Sequence, residues 1–133
     1  MKLSAADSLA IYELLALHGH LMDMGRLDEL DQLFSSDVAY DLTAFGLGTL
    51  RGISAIRDAA LKMGDHNPVG HHTTNSVITK QDDQGVHVQS KGIGVQADGT
   101  VGSVVYEDIV KHEADGWRIV YRKVLARHKP LTP

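Results

Sequence analysis

Cysteine is absent from the sequence, which excludes disulfide bonds, thiolate zinc sites and cysteine nucleophiles. The fold must therefore be held together by packing alone. A basic tract is also missing, and the formal net charge of −4 argues against a nucleic-acid partner. No uncharged stretch reaches the roughly 18 residues that a membrane span needs. The N-terminal apolar run follows Asp7 and is interrupted by Glu13, unlike a secretory signal, so we expect a cytoplasmic protein.

The length of 133 residues predicts one domain over residues 1–133, with residues 128–133 as an extended tail. A chain of this size buries roughly two thirds of the surface that it exposes when unfolded. Hydrophobic residues make up 43% of the chain and charged residues 23%, which is ordinary for a soluble globular protein. No repeat or low-complexity segment is visible.

The first half of the chain has the spacing of helices. Ser4 and Asp7 form a capping-box pattern before an apolar run with helical spacing, which predicts a first helix over residues 5–24. The segment "RLDELDQLF" predicts a short second helix, and "SAIRDAALKM" predicts a third helix capped by Ser54. "DVAYDL" alternates as a strand, and "GLGTLRG" contains a short strand.

The second half has the period of strands. Runs of β-branched residues are separated by the turn signals "DDQG", "ADGT" and "ADGW". Gly92 and Gly94 indicate a bend within one of these strands. Helices followed by a meander predict an α+β fold with the helices on one face of a curved antiparallel sheet. The four long strands are predicted over residues 70–81, 85–97, 100–112 and 117–128.

Histidines are the first candidates for chemistry. In "GHHTTN", alternation along a strand places His71 and Asn75 on one face and His72 on the other. A strand histidine is more often structural or exposed than catalytic. His18 interrupts the apolar stripe of the first helix where Leu or Met is expected, so a polar partner or a backbone carbonyl must face it.

Charged residues give a second set of candidates. Asp23 opposes the partial charge at the C-terminal end of the first helix, at a cost of about 0.3–1 kcal/mol, and helical geometry places it outside the apolar stripe. Arg122 is predicted on the strand face that carries Val120 and Val124, opposite Trp117. That face is either exposed or part of a cavity. Further possible pocket residues, each of which also has a structural interpretation, are Tyr40, Tyr106 and Asp108.

Several catalytic and cofactor motifs are missing. The glycine-containing stretches lack the G-x-G-x-x-G spacing of dinucleotide sites, and neither a G-x-S-x-G elbow nor an H-E-x-x-H helix occurs. His18 and His20 diverge on a helix, and the adjacent His71 and His72 point to opposite faces of a strand. We therefore expect no metal site and no cofactor.

The order of these segments resembles the SnoaL-like branch of the nuclear transport factor two superfamily. The resemblance is carried by "LHGHLMDMGRLDELDQLFSSDVAY", "LRGISAIRD", "HHTTN" and "GWRIVYRKV", and covers nearly the whole chain. It is closest to the group of scytalone dehydratase, bile acid 7α-dehydratase and hexachlorocyclohexane dehydrochlorinase. It implies a cone-shaped barrel of a highly curved antiparallel sheet, with three N-terminal helices on its concave face.

The resemblance also implies roles for individual residues. The family's aspartate falls on Asp23, its histidine, four residues before Asn75, falls on His71, and its arginine falls on Arg122. His18 occupies a position that holds lysine or tyrosine in those relatives. His71, oriented by Asp23, is then expected to remove a carbon-bound proton, and Arg122 to neutralise the charge that develops on oxygen.

The implied activity is that of a cofactor-independent lyase of the dehydratase type. His18, supported by Tyr40, is expected to protonate a departing hydroxyl, and the expected substrate-binding residues include Asn75, Tyr106 and Asp108. The substrate is expected to be small, hydrophobic and cyclic, polyketide-like or steroid-like. The alternatives are a polyketide cyclase or ketosteroid-type isomerase, an epoxide hydrolase, and a non-catalytic binding or assembly module. A homodimer or homotrimer is expected from relatives.

Overall fold

The computed structural model describes residues 2–133. Within this range the chain forms two α-helices, three short 3-10 helices and six strands. The α-helices are α1 (Ala5–Asp23) and α2 (Ile53–Met63), and the 3-10 helices span Leu27–Gln32, Thr43–Phe45 and Gly64–His66. The strands are β1 (Phe34–Asp41), β2 (Thr49–Arg51), β3 (Gly70–Asp82), β4 (Gly85–Val95), β5 (Val101–Glu113) and β6 (Gly116–Ala126).

The six strands form one sheet in the order β2-β1-β6-β5-β4-β3, with the helices on one side. The predicted α+β class is confirmed. The sheet is mixed rather than antiparallel, because β1 runs parallel to β6, and it does not close into a barrel. Turn residues indicate only which strands are neighbours along the chain, so they do not predict the pairing of β1 with β6.

Helix α1 begins as predicted and lies against the sheet. The Ser4 hydroxyl accepts a hydrogen bond from the backbone N–H of Asp7, and the Asp7 carboxylate accepts one from the N–H of Ser4. Both bonds satisfy donors that the first turn leaves free. The predicted apolar stripe is buried, and its members include Ile11, Leu14, Leu15, His18 and Leu21.

The other two predicted helices differ in detail. The second is a 3-10 helix over Leu27–Gln32 rather than an α-helix. Helix α2 forms where expected, but its N-cap is Gly52, with a positive φ of 85°, and no side chain caps it. Ser54 lies inside the first turn and is exposed, so the capping role predicted for it is wrong. No helix within residues 2–133 combines the length and hydropathy needed to cross a bilayer.

The core lies between α1 and the inner face of the sheet. Its fully buried members include Leu15, Leu33, Phe34, Val38, Val110 and Ile119. The C-terminal tail turns back instead of running extended as predicted. The Arg127 guanidinium donates hydrogen bonds to the backbone carbonyls of Lys129 and Thr132, which the sequence pattern of the tail does not reveal.

Candidate functional site

A cavity of about 410 Å³ opens between the two α-helices and the inner face of the sheet. Most of its lining is apolar, which suits a small hydrophobic ligand. The apolar walls include Leu42, Leu50, Ile56, Ala60, Val104 and Val124. The polar side chains that converge on the cavity are His18, Tyr40, Asn67, His71, Gln96 and Tyr106.

His71 and Asp23 meet at one end of this cavity. The Nδ1 atom of His71 lies 2.6 Å from Oδ1 of Asp23, and the backbone N–H of His71 donates to both carboxylate oxygens at 3.0 and 3.1 Å. The two side chains are 18% and 21% exposed, respectively. The carboxylate thus accepts the Nδ1 proton and leaves Nε2 as the ring nitrogen without a proton when the imidazole is neutral. His72 is exposed on the opposite face, as predicted.

Two features of the backbone bring these residues together. Asp23 is the last residue of α1, so its side chain is free to turn toward β3 in spite of its unfavourable position on the helical wheel. Gly19 lies one turn earlier and faces the backbone of His71 so closely that a Cβ atom there would overlap the His71 carbonyl oxygen. The absence of a side chain at Gly19 therefore allows α1 to approach the start of β3.

His18 lies beside His71 and is more deeply buried. Its side chain is 3% exposed, and its ring packs edge-on against that of His71 with centroids 5.5 Å apart. Burial lowers the pKa of His18 well below its usual range, and repulsion by the positive charge of Arg122, and by His71 whenever that ring is protonated, lowers it further. Within residues 2–133 its Nδ1 atom has no hydrogen-bond partner. At neutral pH His18 is therefore an uncharged ring.

Arg122 and Asp108 form a buried ion pair beneath the cavity. Nε and Nη2 of Arg122 donate to the two carboxylate oxygens of Asp108 at 2.7 and 2.8 Å, and both side chains have no exposed surface. Burial lowers the pKa of Arg122, but the charge and hydrogen bonds of Asp108 outweigh it and hold that pKa above its usual range. The guanidinium also lies 4.0 Å from the centroid of the Tyr106 ring, a cation–π contact.

The position of this pair corrects two expectations. Neither Arg122 nor Asp108 lines the cavity, so Asp108 is not placed to bind a substrate and Arg122 is not placed to touch a substrate oxygen. The predicted face of Arg122 is also wrong, because it shares the inner face with Trp117 and Ile119. The cause is a β-bulge at Val120, where Ile109 and Val110 pair with Tyr121 and Ile119 and leave one residue extra.

Tyr40 and Tyr106 separate the ion pair from the cavity. Tyr40 is the cross-strand neighbour of Arg122 on β1, and Tyr106 lies two residues before Asp108 on β5. Burial raises the pKa of both tyrosines, and the positive charge of Arg122 opposes that shift. Both therefore stay protonated at neutral pH and can donate a hydrogen bond into the cavity. Gly92 makes room for the Tyr106 ring, which a Cβ atom there would overlap.

Asn75 lies outside the cavity. Its side chain is exposed and its backbone has a positive φ of 55°. A shift in the pairing of β3 with β4 falls between Thr74 and Val77, so the alternation that begins at His71 does not continue through Asn75. The substrate-binding role predicted for Asn75 is thus not supported by its position.

The mouth of the cavity is formed by the Thr43–Phe45 helix and the residues after it. Phe45 and Leu47 line the cavity and are both exposed. The Asp41 carboxylate accepts hydrogen bonds from the Thr43 backbone and hydroxyl and from the Tyr121 hydroxyl, which lower its pKa to about 2. Burial and the bond to Asp41 raise the pKa of Tyr121 to about 12. Asp41 thereby fixes the start of the mouth segment.

A second cavity, of about 270 Å³, lies on the Asp23 side of the site. His71, Met22, Asn67 and Pro68 line both cavities. The Asn67 amide donates a hydrogen bond to the backbone carbonyl of Ala60 at 2.8 Å. This bond holds the wall between the two cavities against the end of α2. Across residues 2–133, no cluster of three or more His, Asp or Glu side chains has the geometry of a metal site.

Sequence reasoning missed Gly19, Gly92 and Asn67. A glycine beside His18 in an otherwise apolar helical stripe is a usable signal, because it marks close backbone approach. The sequence predicts a bend at Gly92, whereas the structure shows that Gly92 makes room for an aromatic ring on the next strand. Nothing in the local sequence points to Asn67.

Comparison with known proteins places this geometry in a family. The SnoaL-like domain family matches residues 4–123. A protein of unknown function with a cystatin-like fold from Nostoc punctiforme PCC 73102 is 23% identical, with 100% of this chain and 98% of that chain covered and a TM-score of 0.79. An NTF2-like protein with a cystatin-like fold from Novosphingobium aromaticivorans is also 23% identical, with 95% and 85% covered and a TM-score of 0.75.

A further similar structure is described as a subunit of an enzyme. It is a candidate beta subunit of an aromatic-ring-hydroxylating dioxygenase from Novosphingobium aromaticivorans DSM 12444, 19% identical, with 96% of this chain and 92% of that chain covered and a TM-score of 0.68. These identities are low, so the structures establish the fold alone. No curated protein matches the chain. The family match over residues 4–123 shows that this chain belongs to the SnoaL-like domain family.

Proposed function

We propose that the protein is a cofactor-independent lyase of the dehydratase type, acting on a small hydrophobic cyclic substrate of polyketide-like or steroid-like shape. The observation that carries this proposal is the 2.6 Å contact between His71 Nδ1 and Asp23 Oδ1 at the wall of an apolar cavity. A carboxylate in that position fixes the imidazole tautomer and stabilises the imidazolium that forms when the other nitrogen takes a proton. Such a base contributes typically about 10²–10⁴-fold to a rate.

The reaction is an elimination next to a carbonyl group. Nε2 of His71 removes a proton from the α-carbon, and the C–H electrons form an enolate whose oxygen accepts hydrogen bonds from the Tyr40 and Tyr106 hydroxyls. The enolate electrons then form the carbon–carbon double bond and expel the hydroxyl on the β-carbon. The His71 imidazolium returns its proton to that hydroxyl, so that water leaves and the base is regenerated.

His18 has a smaller role in this scheme than the sequence implied. Because its pKa is lowered, it does not carry the extra proton that a general acid would have to give. Its position beside the His71 ring suits a neutral hydrogen bond to the departing hydroxyl. The lysine or tyrosine of the related enzymes is thus replaced by an uncharged donor.

The alternatives differ in the support they receive. A cyclase or isomerase would use the same base without a leaving group. An epoxide hydrolase of the Asp-Arg-Asp type is less well supported, since Asp108 is the carboxylate paired with Arg122 and Asp23 contacts His71 instead. The similarity to the candidate dioxygenase beta subunit favours a non-catalytic assembly module as the second candidate. We further propose a cytoplasmic homo-oligomer associated through the sheet.

The test is deuterium exchange at the α-carbon of cyclic ketones in D₂O, followed by NMR, together with turnover of β-hydroxylated cyclic ketones. Exchange reports proton abstraction even when a ketone has no leaving group. His71→Gln and Asp23→Asn should each reduce exchange by about 10²-fold or more. His72→Gln is the matched control, because His72 is the exposed neighbour on the other face of β3. Wild-type rates in His71→Gln, or no exchange by the wild type, would leave the assembly module as the better explanation.

A further inference from the structure

A row of three cross-strand neighbours begins at the cavity wall and continues beneath it. Tyr40 on β1 pairs with Arg122 on β6, and Arg122 pairs with Asp108 on β5. All three side chains lie on the inner face of the sheet. Arg122 thus stands between a phenol that lines the cavity and a carboxylate that does not.

The charges in this row cancel. Arg122 carries one positive charge and Asp108 one negative charge, and two parallel hydrogen bonds join them away from solvent. A guanidinium without such a partner would attract a carboxylate or phosphate, which fit its planar geometry. Here an anionic ligand would gain no net charge attraction, because Asp108 balances the charge of Arg122. An anion in the cavity would therefore lose its hydration without compensation.

The groups that separate the ion pair from the cavity are two phenols, which are neutral. The Tyr40 and Tyr106 phenols stand above the ion pair, and the Tyr106 ring lies over the Arg122 guanidinium at 4.0 Å. The positive charge beneath them polarises their O–H bonds toward a hydrogen-bond acceptor. The remaining Arg122 nitrogen, Nη1, is buried without a hydrogen-bond partner within the described residues, so its N–H donors are unused although Asp108 balances the charge of Arg122.

We propose that Asp108 is a specificity-determining residue that restricts the cavity to uncharged ligands carrying a carbonyl or hydroxyl oxygen. Asp108 does so without touching the ligand, by neutralising Arg122. The positive pole of the ion pair lies toward the Tyr40 side and the negative pole away from it, which favours a partial negative charge on a neutral ligand. This inference rests on the proposed function, since it names the substrate class for the same cavity: neutral cyclic ketones and alcohols rather than carboxylates or phosphates.

The test is the binding of matched ligands that share one bicyclic skeleton, measured by calorimetry at neutral pH. The ligands are 1-tetralone, which is neutral, 1,2,3,4-tetrahydro-1-naphthoate, which is anionic, and 1-aminotetralin, which is cationic. The wild type should bind 1-tetralone about tenfold or more tightly than either charged ligand. Equal or tighter binding of the naphthoate by the wild type would overturn the proposal without any variant.

Two reciprocal variants test the cause. Asp108→Asn leaves Arg122 uncompensated, so it should shift the preference toward the naphthoate by about tenfold or more. Arg122→Gln leaves Asp108 uncompensated and should shift the preference toward 1-aminotetralin. Either folded variant decides the matter, and an unchanged preference in it would refute the role of Asp108. If neither variant folds, the wild-type measurement still tests the proposal, because equal or tighter binding of the naphthoate overturns it.

The outcome is independent of the proposed elimination. None of the three ligands contains a leaving group, and the measurement reports binding rather than turnover. A protein that selects the neutral ketone but fails to exchange its α-protons would retain this inference and lose the proposed function. A protein that exchanges α-protons but binds the naphthoate best would do the reverse.

Discussion

Gly19 and His71 contact one another through their backbones, and this contact positions the candidate site. A Cβ atom at Gly19 would overlap the carbonyl oxygen of His71. Because Asp23 follows one turn later on α1, the distance between α1 and β3 also sets the 2.6 Å contact between Asp23 and His71. A helix displaced by the width of a methyl group would break that hydrogen bond.

Gly19→Ala is therefore expected to destabilise the fold and weaken the site together. The added methyl group should force α1 away from β3, at a cost of about 1–3 kcal/mol in the free energy of unfolding. Urea denaturation measures this loss, and α-proton exchange measures the site. Gly102→Ala is the control for urea denaturation, since a Cβ atom there meets no neighbour within 4 Å, and the wild type is the reference for exchange, because Gly102 lines the cavity. If Gly19→Ala unfolds like the control and exchanges like the wild type, the contact has no positioning role.

Gly92→Ala is expected to displace the Tyr106 ring. A Cβ atom at Gly92 would overlap that ring, whereas one at Gly94 would meet Pro68 Cγ at an ordinary 3.4 Å. We expect Gly92→Ala to lose about 1–3 kcal/mol in the free energy of unfolding and to bind 1-tetralone more weakly. Gly94→Ala should be milder in both urea denaturation and calorimetry. Equal effects of the two substitutions would contradict this account of Gly92.

The contributions of Arg122 and Asp108 to the free energy of unfolding are expected to be strongly coupled. Arg122→Met leaves Asp108 as an unpaired buried carboxylate and should lower the free energy of unfolding by about 3–5 kcal/mol. The double variant Arg122→Met/Asp108→Leu removes both charges and should lose less than Arg122→Met alone. A double-mutant cycle by urea denaturation measures the coupling. Additive losses in the double variant would mean that the two side chains act independently.

Stability should depend on pH through His18. Its pKa in the folded protein lies well below the ordinary value of 6.5. Below pH 6.5 the unfolded chain binds a proton that the folded protein does not, so the free energy of unfolding decreases as the pH falls. The slope attributable to His18 is at most about 1.4 kcal/mol per pH unit, and above pH 6.5 this contribution is constant.

His18→Leu should reduce the slope of the free energy of unfolding against pH over the range in which a free histidine titrates, from about pH 5 to about pH 6.5. Urea denaturation at a series of pH values measures it. His20→Leu is the matched control, because His20 is exposed on the same helix and its removal should leave the slope unchanged. The same slope in His18→Leu as in the wild type would show that another buried group governs the pH dependence.

The parts of the fold that follow from short-range pattern were predictable. Residue spacing and turn residues predict the capping box at Ser4, the buried stripe of α1 and the four long strands, and the structure contains all of them. The resemblance to SnoaL-like proteins also brought His71 and Asp23 together, although the helical wheel placed Asp23 elsewhere. The helical-wheel prediction was wrong because Asp23 is the last residue of α1, so its side chain can turn away from the direction that the wheel assigns.

Features that depend on strand register were not predictable. Strict alternation predicts the wrong surroundings for both Asn75 and Arg122, and the cause in each case is a shift in the strand pairing. A bulge inserts one residue and exchanges the two faces of the strand beyond it. The parallel pairing of β1 with β6 is likewise a long-range event that no turn residue signals.

The extra residue at Val120 has a consequence for how this site could change over evolution. Deleting that one residue would leave Arg122 and Val124 facing inward, because Tyr121 would then follow Ile119 directly and regular alternation would resume. Arg122 and Asp108 would therefore keep their ion pair. A codon can thus be lost at this point of the last strand without reversing the faces of the residues beyond it, whereas the loss of a codon between Ile119 and Arg122 from a strand that has no bulge would reverse them.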